Sequence, residues 1–187
     1  MEQKNLSSDC WTPAPVVNFR DVGAFVNLIL GHDVVGEHRL LRGGTIKHLP
    51  NLASVGAPAT VLCLKNGPNA GRPGVSMLHH PRPDTSECYQ TSERGTRNWL
   101  RAIVRSLAEP TVNLPLYVHC HSGRDRTGVV VAALLKILKI PAAAIVEEYM
   151  LSDGTDKTKI CEALVGLEDV DSYFPGRHMI AIRALLL

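Results

Sequence analysis

Between Leu116 and Ile140 the chain reads apolar, then polar, then apolar: "LYV", the nine residues "HCHSGRDRT", then "GVVVAALLKILKI". A short β-branched and aromatic run after Pro115 suits a buried strand. The nearly all-apolar stretch from Thr127 to Lys139, stopped before Pro141, suits a buried helix. Such a strand can lie only inside a sheet, and such a helix only against one. The pattern therefore demands a layered α/β domain.

The rest of the chain fits that frame. "VVNFR" and "HRLLRGG" read as short strands, the second stopped by Gly43 and Gly44, and Thr45 to Val55 is loosely helical around Pro50. "ATVLCLK" (59–65) reads as a buried strand and "VSMLHH" as another. In "TSERGTRNWLRAIVRSLAE", Leu100, Ile103, Val104 and Leu107 recur at helical spacing, with Arg97, Arg101 and Arg105 opposite. Helices are expected over 142–151 and 155–167, and a last one from Arg177. Residues 1–15, polar and containing Pro13 and Pro15, read as a flexible lead-in to a single domain over 16–187. The expected architecture is α/β, with a central mostly parallel or mixed sheet flanked by helices on both faces.

The 187 residues carry 20 basic and 18 acidic side chains, a balance that argues against a nucleic-acid binder. Five cysteines, Cys10, Cys63, Cys88, Cys120 and Cys161, are odd in number and widely spaced, without a CxxC pair. They suit a reducing, cytoplasmic compartment. No basic segment leads into an apolar core at the start, and no run approaches the ~18 apolar residues of a membrane span. A soluble chain is expected; secretion by a signal of another kind lies outside this test.

A loop between a strand end and a helix start is where an anion binds in such a sheet. Its N–H groups can converge as a nest, and the helix adds unpaired donors and the positive end of its dipole. Gly123 permits a crowded or left-handed turn, and Gly128 lets the helix start approach its neighbours. Cys120 at the mouth of such a nest would ionise well below a free thiol. Arg126 could grip two phosphate oxygens with its planar fork.

His119, Cys120, Gly123, Arg126, Thr127 and Gly128 form HCxxGxxRTG. With this motif the chain resembles the cysteine-dependent protein tyrosine and dual-specificity phosphatase superfamily. "NFRDVG" (18–23) and "LLRGG" (40–44) look like amino-terminal motifs of a bacterial and fungal branch whose loop reads HCxxGKDRTG; Arg124 stands where that branch has lysine. The resemblance implies a compact dual-specificity-like domain and a two-step reaction without metal or cofactor. Cys120 would attack phosphorus and water would then hydrolyse the cysteinyl-phosphate. The nest from His121 through Ser122, Gly123, Arg124 and Asp125 to Arg126 would bind the oxygens. By the same resemblance Thr127 would help the thiolate leave, and His119 would hold the loop from behind.

Two carboxylates could protonate the leaving group. Asp125, inside the loop, is the first candidate, and Asp84 in "HHPRPDTSE", on a separate segment, is the second. Each has a plainer reading: Asp125 paired with Arg94 or Arg97, and Asp84 capping a helix near Thr85. Arg124 is either a solvated cation or a selector of multiply charged ligands. Cys63 is either a core residue or a redox partner approaching Cys120 from a neighbouring strand. The substrates implied are phosphotyrosine or phosphoserine/threonine in proteins, with a phosphoinositide or inositol phosphate as the alternative. A pseudophosphatase that binds phosphate without turnover is the reading from another class. The oligomeric state stays open.

Overall fold

The computed structural model describes residues 16–68 and 71–187, so the expected lead-in over 1–15 lies outside the described residues. Five strands form one sheet in the order β1-β2-β5-β3-β4. They are β1 (Arg20–Asp21), β2 (Leu40–Gly43), β3 (Thr60–Cys63), β4 (Ser76–His79) and β5 (Leu116–His119). Only β1 pairs antiparallel; β2, β5, β3 and β4 run parallel. The fold is the expected α/β class with a mixed sheet. The central strand β5 is buried along its length, as are its neighbours β2 and β3. That double-sided burial is why these segments read as continuous apolar runs rather than as alternations.

The helices are α1 (Val22–Leu30), α2 (Arg94–Leu107), α3 (Asp125–Ile137), α4 (Ala142–Met150), α5 (Lys157–Gly166), α6 (Val170–Tyr173) and α7 (Gly176–Leu186). They gather on the face that carries Leu40, Leu62, Leu116 and Val118, with α3 buried along almost its whole length. The opposite face, with Leu41, Val61 and Tyr117, is covered by Val16, Ile46, Leu49, Leu52 and Val55. Apart from a 3₁₀ turn at Ala53–Val55, that cover is irregular. Helices thus flank one face and a plug of chain fills the other. Pro50, in the middle of the plug, prevents the longer helix that its spacing suggested.

Two other elements differ from the sequence-based expectation. Only Arg20 of "VVNFR" joins a strand, and the chain then turns directly into α1, an unforeseen helix. Asp21 caps α1 by accepting from the N–H groups of Gly23 and Ala24, and Gly31 ends it in a left-handed conformation. Among the described residues no helix is long and apolar enough to cross a membrane.

Buried Asn27 ties α1 to the chain that follows. Its amide oxygen accepts from the N–H groups of Val34 and Val35, each at 2.9 Å, and its Nδ2 donates to the Val35 carbonyl at 2.9 Å. Asn27→Ala is expected to cost about 1–3 kcal/mol by stranding these groups. A shift of the urea midpoint without a change in slope would check it.

Candidate active site

β5 ends at His119, and α3 begins at Asp125. No side chain caps the helix, so its first N–H groups keep no partner within it. The loop between is held by its carbonyls. The His121 carbonyl accepts from the Thr45 N–H at 2.9 Å, the Ser122 carbonyl from Asn18 Nδ2 at 2.9 Å, and the Gly123 carbonyl from Arg42 Nη2 at 2.9 Å. Each donor comes from an amino-terminal segment that the sequence marks by "NFRDVG" or "LLRGGT". Three consecutive carbonyls pulled one way leave the N–H groups of the loop facing the other, toward the concave side. Among the described residues, the N–H groups of His121 through Arg124 donate to no protein acceptor.

Glycine is required twice here. Gly123 has φ +71°, and a side chain on it would collide with the backbone of Gly43. A side chain on Gly128 would lie 2.7 Å from the Tyr149 ring, so its absence lets α3 settle onto α4.

Cys120 is 1% exposed at the floor of the loop. His119 is also buried, and its Nδ1 lies 3.1 Å from the Cys120 carbonyl. Burial lowers its pKa to about 4, only partly opposed by that hydrogen bond. The ring is therefore neutral at pH 7, with Nδ1–H donating and Nε2 without a partner. Thr127 is fully buried and its hydroxyl has no hydrogen-bond partner.

Arg126, 3% exposed, fastens a second loop to the first. Its Nη1 donates to the carbonyl of Arg82 at 2.8 Å and to that of Leu64 at 3.4 Å, and its Nη2 meets Asp84 Oδ1 at 2.9 Å. The Arg126 Nε has no acceptor. Asp84, with its side chain 63% exposed, thus lies on the phosphate-loop arginine and caps no helix. Asp125 is held differently. Its Oδ1 accepts from Tyr89 Oη at 2.7 Å and its Oδ2 from Arg124 Nε at 2.9 Å, so its partners are neither Arg94 nor Arg97. Arg124, only partly exposed, is raised in pKa chiefly by that bond to Asp125. Tyr89 also pairs with Tyr149 at 2.7 Å, and burial raises both phenols.

Cys63 is paired in register with His119. It shares the His119 face and lines a cavity of about 430 Å³ with it, whereas Cys120 packs with the core under the helices. Side chains alternate along a strand, so the two thiols leave the sheet on opposite faces. Of the two readings of Cys63, its burial in β3 agrees with the core residue. Burial raises the Cys63 thiol.

The chain belongs to the tyrosine phosphatase family, whose model matches residues 65–175, more than half of its length. It is a cysteine-dependent phosphatase by that membership. Among solved structures, it is similar to the core catalytic domain of the PP-IP phosphatase SIW14 from S. cerevisiae, crystallised with citrate. The TM-score is 0.58 at 16% identity, over 87% of this chain and 91% of that one. A second structure of the Siw14 catalytic core matches with TM-score 0.55 at 14% identity, over 75% and 85%. TpbA from P. aeruginosa matches with TM-score 0.49 at 20% identity, over 78% and 84%. No curated protein sequence matches the chain.

The neutral state of His119 sets a pH dependence of stability. Its folded pKa, about 4, lies below the unfolded value of 6.5, so the unfolded chain binds the extra proton between them. Stability is then full above about pH 6.5 and falls as pH drops toward 4, by up to about 3 kcal/mol from this group. His80, also lowered by burial, acts in the same direction. Denaturation midpoints measured from pH 7.5 to 5 should fall in the parent chain and fall distinctly less in His119→Gln.

Proposed function

We propose that the chain is an active phosphomonoester hydrolase working through a cysteinyl-phosphate, with residues 16–187 acting as one domain. The observation that carries this reading is the loop itself: unpaired N–H groups from His121 to Arg124 and the uncapped start of α3 surround Cys120 beside buried Arg126. In the first step Cys120 Sγ forms the bond to phosphorus while the bond to the ester oxygen breaks, and an acid protonates that oxygen. In the second, water attacks phosphorus, the acid's carboxylate takes its proton, and the thiolate leaves. Arg126 and the loop N–H groups, those of His121, Ser122, Gly123, Arg124, Asp125 and Arg126, stabilise the equatorial oxygens in both steps. Buried Thr127, its hydroxyl unpartnered, assists the departing thiolate. Neutral His119 orients the loop through the Cys120 carbonyl and is not a base.

Asp84 is the better-placed acid. Arg126, the residue that would hold the phosphate, draws the Asp84 loop over the site through both the Arg82 carbonyl and the Asp84 carboxylate. Asp125, by contrast, has both oxygens occupied by Tyr89 and Arg124, which suits a brace between the loop and the 3₁₀ turn Ser86–Tyr89.

Phosphotyrosine or phosphoserine/threonine in proteins is the first substrate reading. A specific observation favours a second, an inositol phosphate: partly exposed Arg124, in the loop beside Arg126, offers a further cation to a multiply charged ligand. The similar yeast structure is titled a PP-IP phosphatase. A panel of phosphopeptides, phosphoinositides and inositol phosphates separates these readings by kcat/KM.

Cys120→Ser is expected to abolish hydrolysis of an aryl phosphate while keeping tungstate binding; appreciable turnover in that variant would refute the covalent route. Asp84→Asn should slow an aryl phosphate with a poor leaving group by roughly 10²–10⁴ and one with a good leaving group far less. Asp125→Asn should slow both alike. A selective loss in Asp125→Asn instead would transfer the acid role to it.

A further inference from the structure

The arginines of the two amino-terminal motifs meet 106 and 128 residues downstream, on one carboxylate. Arg42 Nη1 donates to Glu148 Oε2 at 2.7 Å, and Arg20 Nε to Glu148 Oε1 at 2.8 Å. Arg20 Nη2 also reaches the Glu148 carbonyl at 2.7 Å and Ser152 Oγ at 3.0 Å. Side-chain exposure is 5% for Arg20, 0% for Arg42 and 1% for Glu148. Among the described residues Glu148 is the one carboxylate that either guanidinium contacts. Two buried cations therefore share one buried anion.

The excess charge lies behind the anion-binding loop. The second arm of Arg42 holds the Gly123 carbonyl, and Gly128, in the first turn of α3, is bare where a side chain would come 3.5 Å from the same Nη2. Taking an unmatched charge out of water is costly, and nothing within the triad offsets it. A phosphate in the nest would. Charges this deep are little screened by salt, so the attraction acts through protein rather than solvent.

Resting on the proposed phosphate-binding role of the loop, we infer that Arg42 is a positioning residue, and that the Arg20–Glu148–Arg42 triad carries a net positive charge that strengthens anion binding from behind the loop. The state of Arg20 agrees. Its pKa is lowered to about 10, by burial first and the neighbouring Arg42 second, with Glu148 opposing; it remains protonated at pH 7.

A purely structural brace and a charged one differ in sign under substitution. Arg42→Gln and Glu148→Gln both break bonds of the triad, but the first removes a positive charge and the second a negative one. Tungstate affinity, measured by calorimetry at fixed salt on the full chain, is expected to weaken about tenfold in Arg42→Gln and to tighten severalfold in Glu148→Gln. Melting should show both to be less stable than the parent. Weakening of both by similar factors, or no change in either, would overturn the electrostatic role.

Should Arg42→Gln not fold, Arg20→Gln takes its place. It removes the same charge without touching the loop and is expected to weaken tungstate severalfold; unchanged affinity there would again overturn the inference. A parent chain that neither binds tungstate nor hydrolyses an aryl phosphate would count against the proposed function itself. A parent that binds it, with variants insensitive to charge, would count against the triad alone.

Discussion

The outward pull on three successive carbonyls is the constraint from which the rest of the site follows. A loop of unpaired N–H groups facing one another is unfavourable alone, because each donor competes for water and the backbone can flip to meet it. Thr45, Asn18 and Arg42 remove that freedom by holding the carbonyls of His121, Ser122 and Gly123 on the far side. Once the carbonyls are fixed, the N–H groups have only the concave side left. The left-handed Gly123 and its close approach to Gly43 are the geometric cost of that arrangement.

Two of the donors belong to segments adjoining β1 and β2, the antiparallel corner at one sheet edge, which gives this short pairing a purpose. The Asn18–Arg20 segment lies where the chain enters the sheet, and its side chains reach both the phosphate loop and the segment after α4. Asn18 bonds the Ser122 carbonyl and accepts from the Asp153 N–H, while Arg20 crosses to Glu148 and Ser152. Antiparallel pairing puts the start of β1, rather than its end, on this side of the sheet. The loop is thus built by sequence neighbours of Cys120 and held by residues 76 to 104 positions earlier.

How much of this was legible beforehand divides along the same line. The residues from His119 to Gly128 are contiguous, and each has a residue type whose chemistry narrows its use, so the loop and the strand and helix around it could be read directly. The triad could not: Arg20, Arg42 and Glu148 are ordinary charged residues until folding brings them together, and nothing in "IVEEYM" tells Glu148 from exposed Glu147. The α1 helix had a signal that spacing alone underweighted, namely Asp21 before and Gly31 after an apolar run. Asp84 and Asp125 were ambiguous for a physical reason, since proximity in sequence placed one at the loop while only tertiary contact places the other.

The contact between Arg126 and Asp84 gives the guanidinium an anion of the chain's own. In the proposed reaction an incoming phosphate would exchange with the carboxylate already paired with this guanidinium. Affinity for any ligand is then the difference between two anions' claims on one arginine, so monoanionic groups that match a carboxylate gain little by entering. On the proposed reading a dianion, able to use Arg126 and the loop N–H groups together, is the ligand that this competition would favour.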